Sequence, residues 1–103
     1  MKFAVISPRA RQDLLEAVRW IARDNPTAAK GLRNAVVKAA QRIAAHPRIA
    51  PARLELAEES IRFLTLTGYP YVLVYDSSRD PPLVLRCLHG ARDFPTVLRG
   101  LKP

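Results

Sequence analysis

Cysteine and histidine are scarce in this chain of 103 residues: the cysteine is Cys87 and the two histidines are His46 and His89. No internal disulfide can form, and no Cys/His set has the spacing of a structural zinc site, so no metal or cofactor is expected. Long apolar runs are missing too. Phe3 to Ile6 is too short for a secretory leader, and nothing approaches the roughly 18 consecutive apolar residues of a membrane span. A soluble, cytoplasmic protein without membrane contact is expected. Acidic residues are few, 9 against 17 Lys and Arg, and the resulting charge of +8 favours an acidic partner, either nucleic acid or protein.

What is present matches an ordinary globular protein, with 49% hydrophobic and 25% charged residues. No internal repeat or low-complexity tract occurs, and the length suits one domain over residues 1–103. Phe3 to Ile6 is β-prone. Ser7-Pro8 then supplies a capping hydroxyl and a proline suited to the first helical position. Leu14, Val18 and Ile21 follow at helical spacing, with Leu15 and Ala22 widening the stripe. Asp24-Asn25-Pro26 ends this helix and starts another, whose stripe of Ala29, Leu32, Val36, Ala39 and Ile43 closes at His46-Pro47. Two helices joined so tightly form an antiparallel hairpin.

Residues 47–59 lack periodicity and are expected to wrap back toward a sheet. Three strand-like runs come next: Ile61 to Leu66, Tyr71 to Tyr75, and Leu83 to Leu88. The second is apolar throughout, as befits a strand that is central or covered on both faces. Short turns between the runs make neighbours antiparallel. The expected fold is α+β: an antiparallel-rich four-stranded sheet packed against an N-terminal helical hairpin, order β-α-α-β-β-β, with a helical tail near Phe94 to Arg99. The place of the first strand in the sheet stays open, and so does whatever covers the face away from the hairpin.

The order of elements, together with Tyr69-Pro70-Tyr71-Val72-Leu73-Val74-Tyr75 and Leu85-Arg86-Cys87-Leu88-His89-Gly90-Ala91-Arg92-Asp93, resembles the ParE/RelE toxin superfamily over nearly the whole chain. Ser7-Pro8, Asp13-Leu14, Asn25-Pro26, Ala28-Ala29 and Arg62 fit the same pattern in order. The resemblance implies a bacterial toxin of a type II toxin–antitoxin pair, serving plasmid or chromosomal stability and held inactive in a hetero-oligomer by a small acidic antitoxin, ParD-like or RelB-like. It also implies one of two targets. ParE-like members poison DNA gyrase and are not enzymes themselves, whereas RelE-like members cut messenger RNA on the ribosome and often carry a tyrosine just after the last strand. Pro95 occupies that slot here, two residues beyond Asp93, and offers no hydroxyl. With the His89-to-Asp93 wording, this places the chain on the ParE-like branch.

RNA cleavage without a metal needs a base for the 2′-hydroxyl, cations for the phosphorane charge and an acid for the leaving oxygen. The candidates are Arg62, Arg86, His89 and Arg92. Simple strand alternation puts Arg86 on one face with Val84 and Leu88, and Cys87 and His89 on the other, so the four need not converge. His89 reads as a strand-end residue whose ring hydrogen-bonds the next turn, and losing it is expected to cost about 1–3 kcal/mol. Arg86 and Arg92 are expected at the surface as target contacts, since guanidinium groups seldom lie fully buried. Arg92-Asp93 also reads as a local ion pair. Trp20 is expected to be a core or hairpin-locking aromatic. Arg9, Arg11, Arg19, Arg23, Lys30, Arg33, Lys38 and Arg42 fall on the two helices with few acids between them, and Arg19, Arg23, Lys30 and Arg33 are the expected antitoxin contacts. An open sheet face is expected beside them for the antitoxin to cover.

Overall fold

The computed structural model describes residues 2–91 and 94–99. Its elements run β1 (Val5–Ile6), α1 (Pro8–Ala22), α2 (Pro26–Ala45), β2 (Ile61–Thr65), β3 (Tyr71–Asp76), β4 (Leu83–His89) and α3 (Phe94–Val97). The sheet order is β1-β4-β3-β2, antiparallel except for β1, which lies parallel to β4. That settles the first strand: it sits on the far side of β4 from β3.

Both helices begin as the sequence implies. The Ser7 hydroxyl accepts the Ala10 N–H at 3.1 Å, and the Asn25 side chain accepts the Ala28 N–H at 3.1 Å. The α2 stripe of Ala29, Leu32, Val36, Ala39 and Ile43 is buried in full. In α1 the deepest positions are instead Ala10, Asp13 and Ala17, while Leu14, Val18 and Ile21 are half-buried at the flank. Two alanines let the helix backbone come close to β4, which larger side chains would hold off.

The sheet carries a core on each face. Toward the helices lie Leu32, Val36, Ile43, Tyr71, Leu73, Tyr75, Val84 and Cys87. On the other face Ile61, Phe63, Val74, Leu85 and Leu88 pack with Phe94 and Leu98, helped by Leu56 and Ala57 from the long connection. Phe63 and Phe94 stack with ring centroids 6.3 Å apart. The expected open sheet face is therefore covered by the chain's own tail and by the 47–59 connection, because those apolar residues have nowhere else to bury.

One irregularity controls the functional face. The β3–β4 register passes from Val74↔Arg86 to Tyr75↔Val84, leaving Leu85 as an extra residue. A bulge of this kind reverses the alternation beyond it. Val84 and Cys87 thus share the helix-side core while Leu85 and Leu88 share the opposite one. The expectation that Arg86 shares a face with both Val84 and Leu88 fails for this reason. At the β2–β3 turn, Gly68 takes φ +83°, which only glycine adopts without strain. The Tyr69 hydroxyl then donates to Ala28 O at 3.0 Å, tying the turn to the start of α2.

Candidate functional site

β1 ends after two residues, so most of β4 has no strand on its outer side. α1 takes over that role. The Ser7 N–H donates to Val84 O at 3.0 Å and the Ser7 hydroxyl to Leu85 O at 3.2 Å. Nearly two turns further on, Asp13 Oδ2 accepts the Cys87 N–H at 3.1 Å. The same carboxylate binds Arg86 in a fork, from Nε at 2.7 Å and Nη2 at 3.1 Å. Both side chains are about nine-tenths buried. Arg86 is thus a buried ion-pair partner, not the surface guanidinium that its residue type suggests.

Arg86 nonetheless borders a cleft of about 520 Å³ with Ser7, Arg9, Leu85, Val97 and Arg99. With Arg86 paired to Asp13, the exposed Arg9 and Arg99 are the cations this cleft can offer an anionic group. Arg9 and Arg99 carry no strand or motif signal, and only their excess charge could have marked them.

The four sequence candidates do not share one cleft. Arg62 donates through Nη1 to Ala50 O at 3.1 Å, its buried Nε has no hydrogen-bond partner, and it borders a separate cleft with Arg48, Glu59, Ser60, Ser77 and Ser78. His89 lines a third cleft, of about 280 Å³, with Glu16, Trp20, Tyr71 and Cys87. Arg92, like Asp93, lies outside the described residues, so the proposed local ion pair does too.

At His89 the ring Nδ1 accepts the Ala91 N–H at 3.0 Å and the ring meets Tyr71 edge-on at 5.3 Å. This is the turn-ordering role read from the sequence. The bond is exposed, however, so water can replace it once the ring is removed. His89→Ala is therefore expected to cost about 0.5–1 kcal/mol, less than the buried-group figure, and to lower the melting temperature by less than about 8 °C in a thermal melt. Nearby, burial and then the Asp13 charge push the Cys87 thiol up to about 12, which leaves it protonated and a poor nucleophile at neutral pH. No cluster of three metal-binding side chains occurs among the described residues.

The helical cations are where the sequence puts them. Arg19, Arg23, Lys30 and Arg33 are all exposed. Trp20 is not in the core: it is 66% exposed, with the Arg23 guanidinium 5.3 Å above its ring. It follows Ala10, Asp13 and Ala17 at helical spacing, but at the end of α1 that face lines the open cleft with Tyr71, Cys87 and His89 and does not enter the core. Arg11 and Arg33 flank a shallow cleft over Leu14, Leu15 and Val18. The hairpin therefore presents cations interleaved with exposed apolar side chains, a surface suited to an amphipathic acidic segment.

A family model described as ParE toxin of type II toxin-antitoxin system, parDE, matches residues 4–94. Toxin RelE3 of Caulobacter vibrioides is 27% identical over 90 residues, which cover 87% of this chain and 96% of that protein. Among solved structures, one described as the chromosomal ParDE TA system from P. aeruginosa superposes with a TM-score of 0.70 at 17% identity, covering 86% of this chain and 96% of that one.

Proposed function

The chain belongs to the ParE toxin family of type II toxin–antitoxin systems, and from that premise we propose that it poisons DNA gyrase in the cytoplasm and is neutralised by a small acidic antitoxin. The observation carrying the antitoxin half is the hairpin surface, where Arg11 and Arg33 flank the cleft over Leu14, Leu15 and Val18, and Arg19, Arg23 and Lys30 are exposed on the same two helices of a chain of net charge +8. A disordered acidic segment folding onto that surface would gain both apolar burial and charge pairing.

For the target, the lack of an assembled acid–base set among the described residues favours gyrase. Arg86 is committed to Asp13, His89 Nδ1 to a backbone amide, and Arg62 faces a different cleft. Pro95 supplies no hydroxyl. The second reading, ribosome-dependent messenger RNA cleavage, draws on the Arg9, Arg86 and Arg99 cleft and on the relative named RelE3.

Inducing the chain in cells tests both halves. Growth is expected to stop with filamentation and broken DNA, purified gyrase is expected to lose supercoiling activity, and co-expression of the acidic protein encoded next to the gene is expected to restore growth and co-purify. Rapid arrest of translation with messenger RNA cut at ribosomal A-site codons, while gyrase works normally, would transfer the assignment to the second reading.

A further inference from the structure

The two edges of the sheet are finished differently. Beside β1, the Ala4 N–H donates to Ala40 O of α2 at 3.0 Å, and Arg11 Nε reaches Ile6 O at 3.5 Å. That edge is closed. β2 is closed only over its first half, where the Phe63 N–H donates to Pro51 O at 3.0 Å and Ala52 bridges Arg62 in antiparallel sense. Further along, the Leu66 N–H turns inward to Tyr71 O at 3.0 Å. Because alternate residues of a strand face opposite neighbours, Thr65 turns its N–H and C=O outward as Phe63 does. Thr65 is exposed, and among the described residues no hydrogen bond meets those groups.

Beyond this open edge lies a groove of about 490 Å³ between β2 and α2, with Leu64 and Leu66 on one wall and Asn34, Ala35, Lys38 and Arg42 on the other. Two of its lining residues are cations, and none carries a carboxylate. An unpaired strand edge invites another strand, and flanking charge decides which one. A second copy of this chain, itself at +8, would bring further cations to Lys38 and Arg42. An acidic segment would pair with them.

We propose that an acidic, extended segment of the antitoxin adds to the sheet as a fifth strand along β2 at Thr65, with alternate side chains lying in the groove against Lys38 and Arg42. This rests on the antitoxin reading above and extends the contact from the α1–α2 hairpin around α2 to the sheet edge. Main-chain pairing supplies affinity and the two cations supply selection for acidic sequence.

Amide exchange and two variants, measured on the chain alone and with the co-expressed protein of the adjacent reading frame, test it. Thr65→Pro deletes the outward N–H, which an edge strand tolerates because no ladder bond is lost. Lys38→Glu with Arg42→Glu reverses the groove charge at exposed positions. The Thr65 amide is expected to exchange rapidly in the free chain and slowly in the complex. Each variant is expected to melt like the parent and to bind at least about tenfold more weakly. A partner that binds the parent and both variants equally, leaving the Thr65 amide unprotected, would sink the added strand while keeping the antitoxin reading. A parent that binds no acidic partner would remove that reading and this inference with it. Concentration-dependent protection of Thr65 in the chain alone would assign the edge to a second copy instead.

Discussion

Arg86→Ala is expected to destabilise the folded protein by about 3–5 kcal/mol, the usual cost of removing one member of a buried ion pair. The melting temperature should fall by more than about 12 °C. Asp13→Ala should be at least as damaging, since it leaves both the Arg86 guanidinium and the Cys87 N–H without their acceptor. After Arg86→Ala, by contrast, Asp13 keeps the Cys87 amide and has Arg9 at 3.9 Å to move closer. Asp13→Asn retains an acceptor for Cys87 and should fall between the parent and Asp13→Ala. A pair of variants melting within a few degrees of the parent would show that the fork adds nothing to the fold. Toxicity lost on Arg86→Ala then reports the fold before it reports a target. Arg9 and Arg99, exposed on the same cleft, are the residues whose truncation can speak for a contact.

Tyr75→Ala is expected to cost about 3–5 kcal/mol, as loss of a buried aromatic ring commonly does, and Tyr75→Phe about 1–3 kcal/mol. The ring is fully buried, and its hydroxyl donates to Pro47 O at 2.7 Å while accepting the Ala50 N–H at 3.4 Å. Burial pushes the phenol above its ordinary value, and the Ala50 hydrogen bond and the Arg62 charge offset this only in part. That one oxygen holds the connection after α2 against the sheet, and the next residue along, Pro51, closes the first half of β2. Tyr75→Phe should therefore also speed amide exchange at Phe63, whose N–H depends on Pro51. An unchanged urea midpoint in Tyr75→Phe would show that the hydroxyl does not anchor the connection.

The elements most legible in the sequence were those specified by their own neighbours. Ser7-Pro8 and Asn25-Pro26 start helices through local chemistry, the α2 stripe buries as spaced, and the apolar run of β3 ends as an inner strand with both faces covered. Long-range features were not legible. Val84-Leu85-Arg86 contains nothing that marks Leu85 as the extra residue, yet the bulge decides which side chains face the helices. Asp13 looks like an ordinary helix-surface acid until Arg86, 73 positions away, is placed against it. Trp20 was misplaced because large aromatics usually bury, whereas at the end of α1 its face runs past the core into the open cleft beside His89. The four exposed hairpin cations were legible as charge alone, and the Thr65 edge was hidden until strand order was known.

Ser7 and Leu85 meet across 78 positions of chain, and β1 joins the sheet only at that same distance. The α1–α2 hairpin closes over a short joint and can form early, but the parallel pairing must wait for an expensive loop closure. Contacts made that late are largely absent from the folding transition state, so they govern how fast the molecule comes apart more than how fast it assembles. The Asp13–Arg86 fork lies on this late seam. Weakening the fork is therefore expected to speed unfolding more than it slows folding, and a protease would meet β1 and α1 parted from β4 while β4 stays paired with β3.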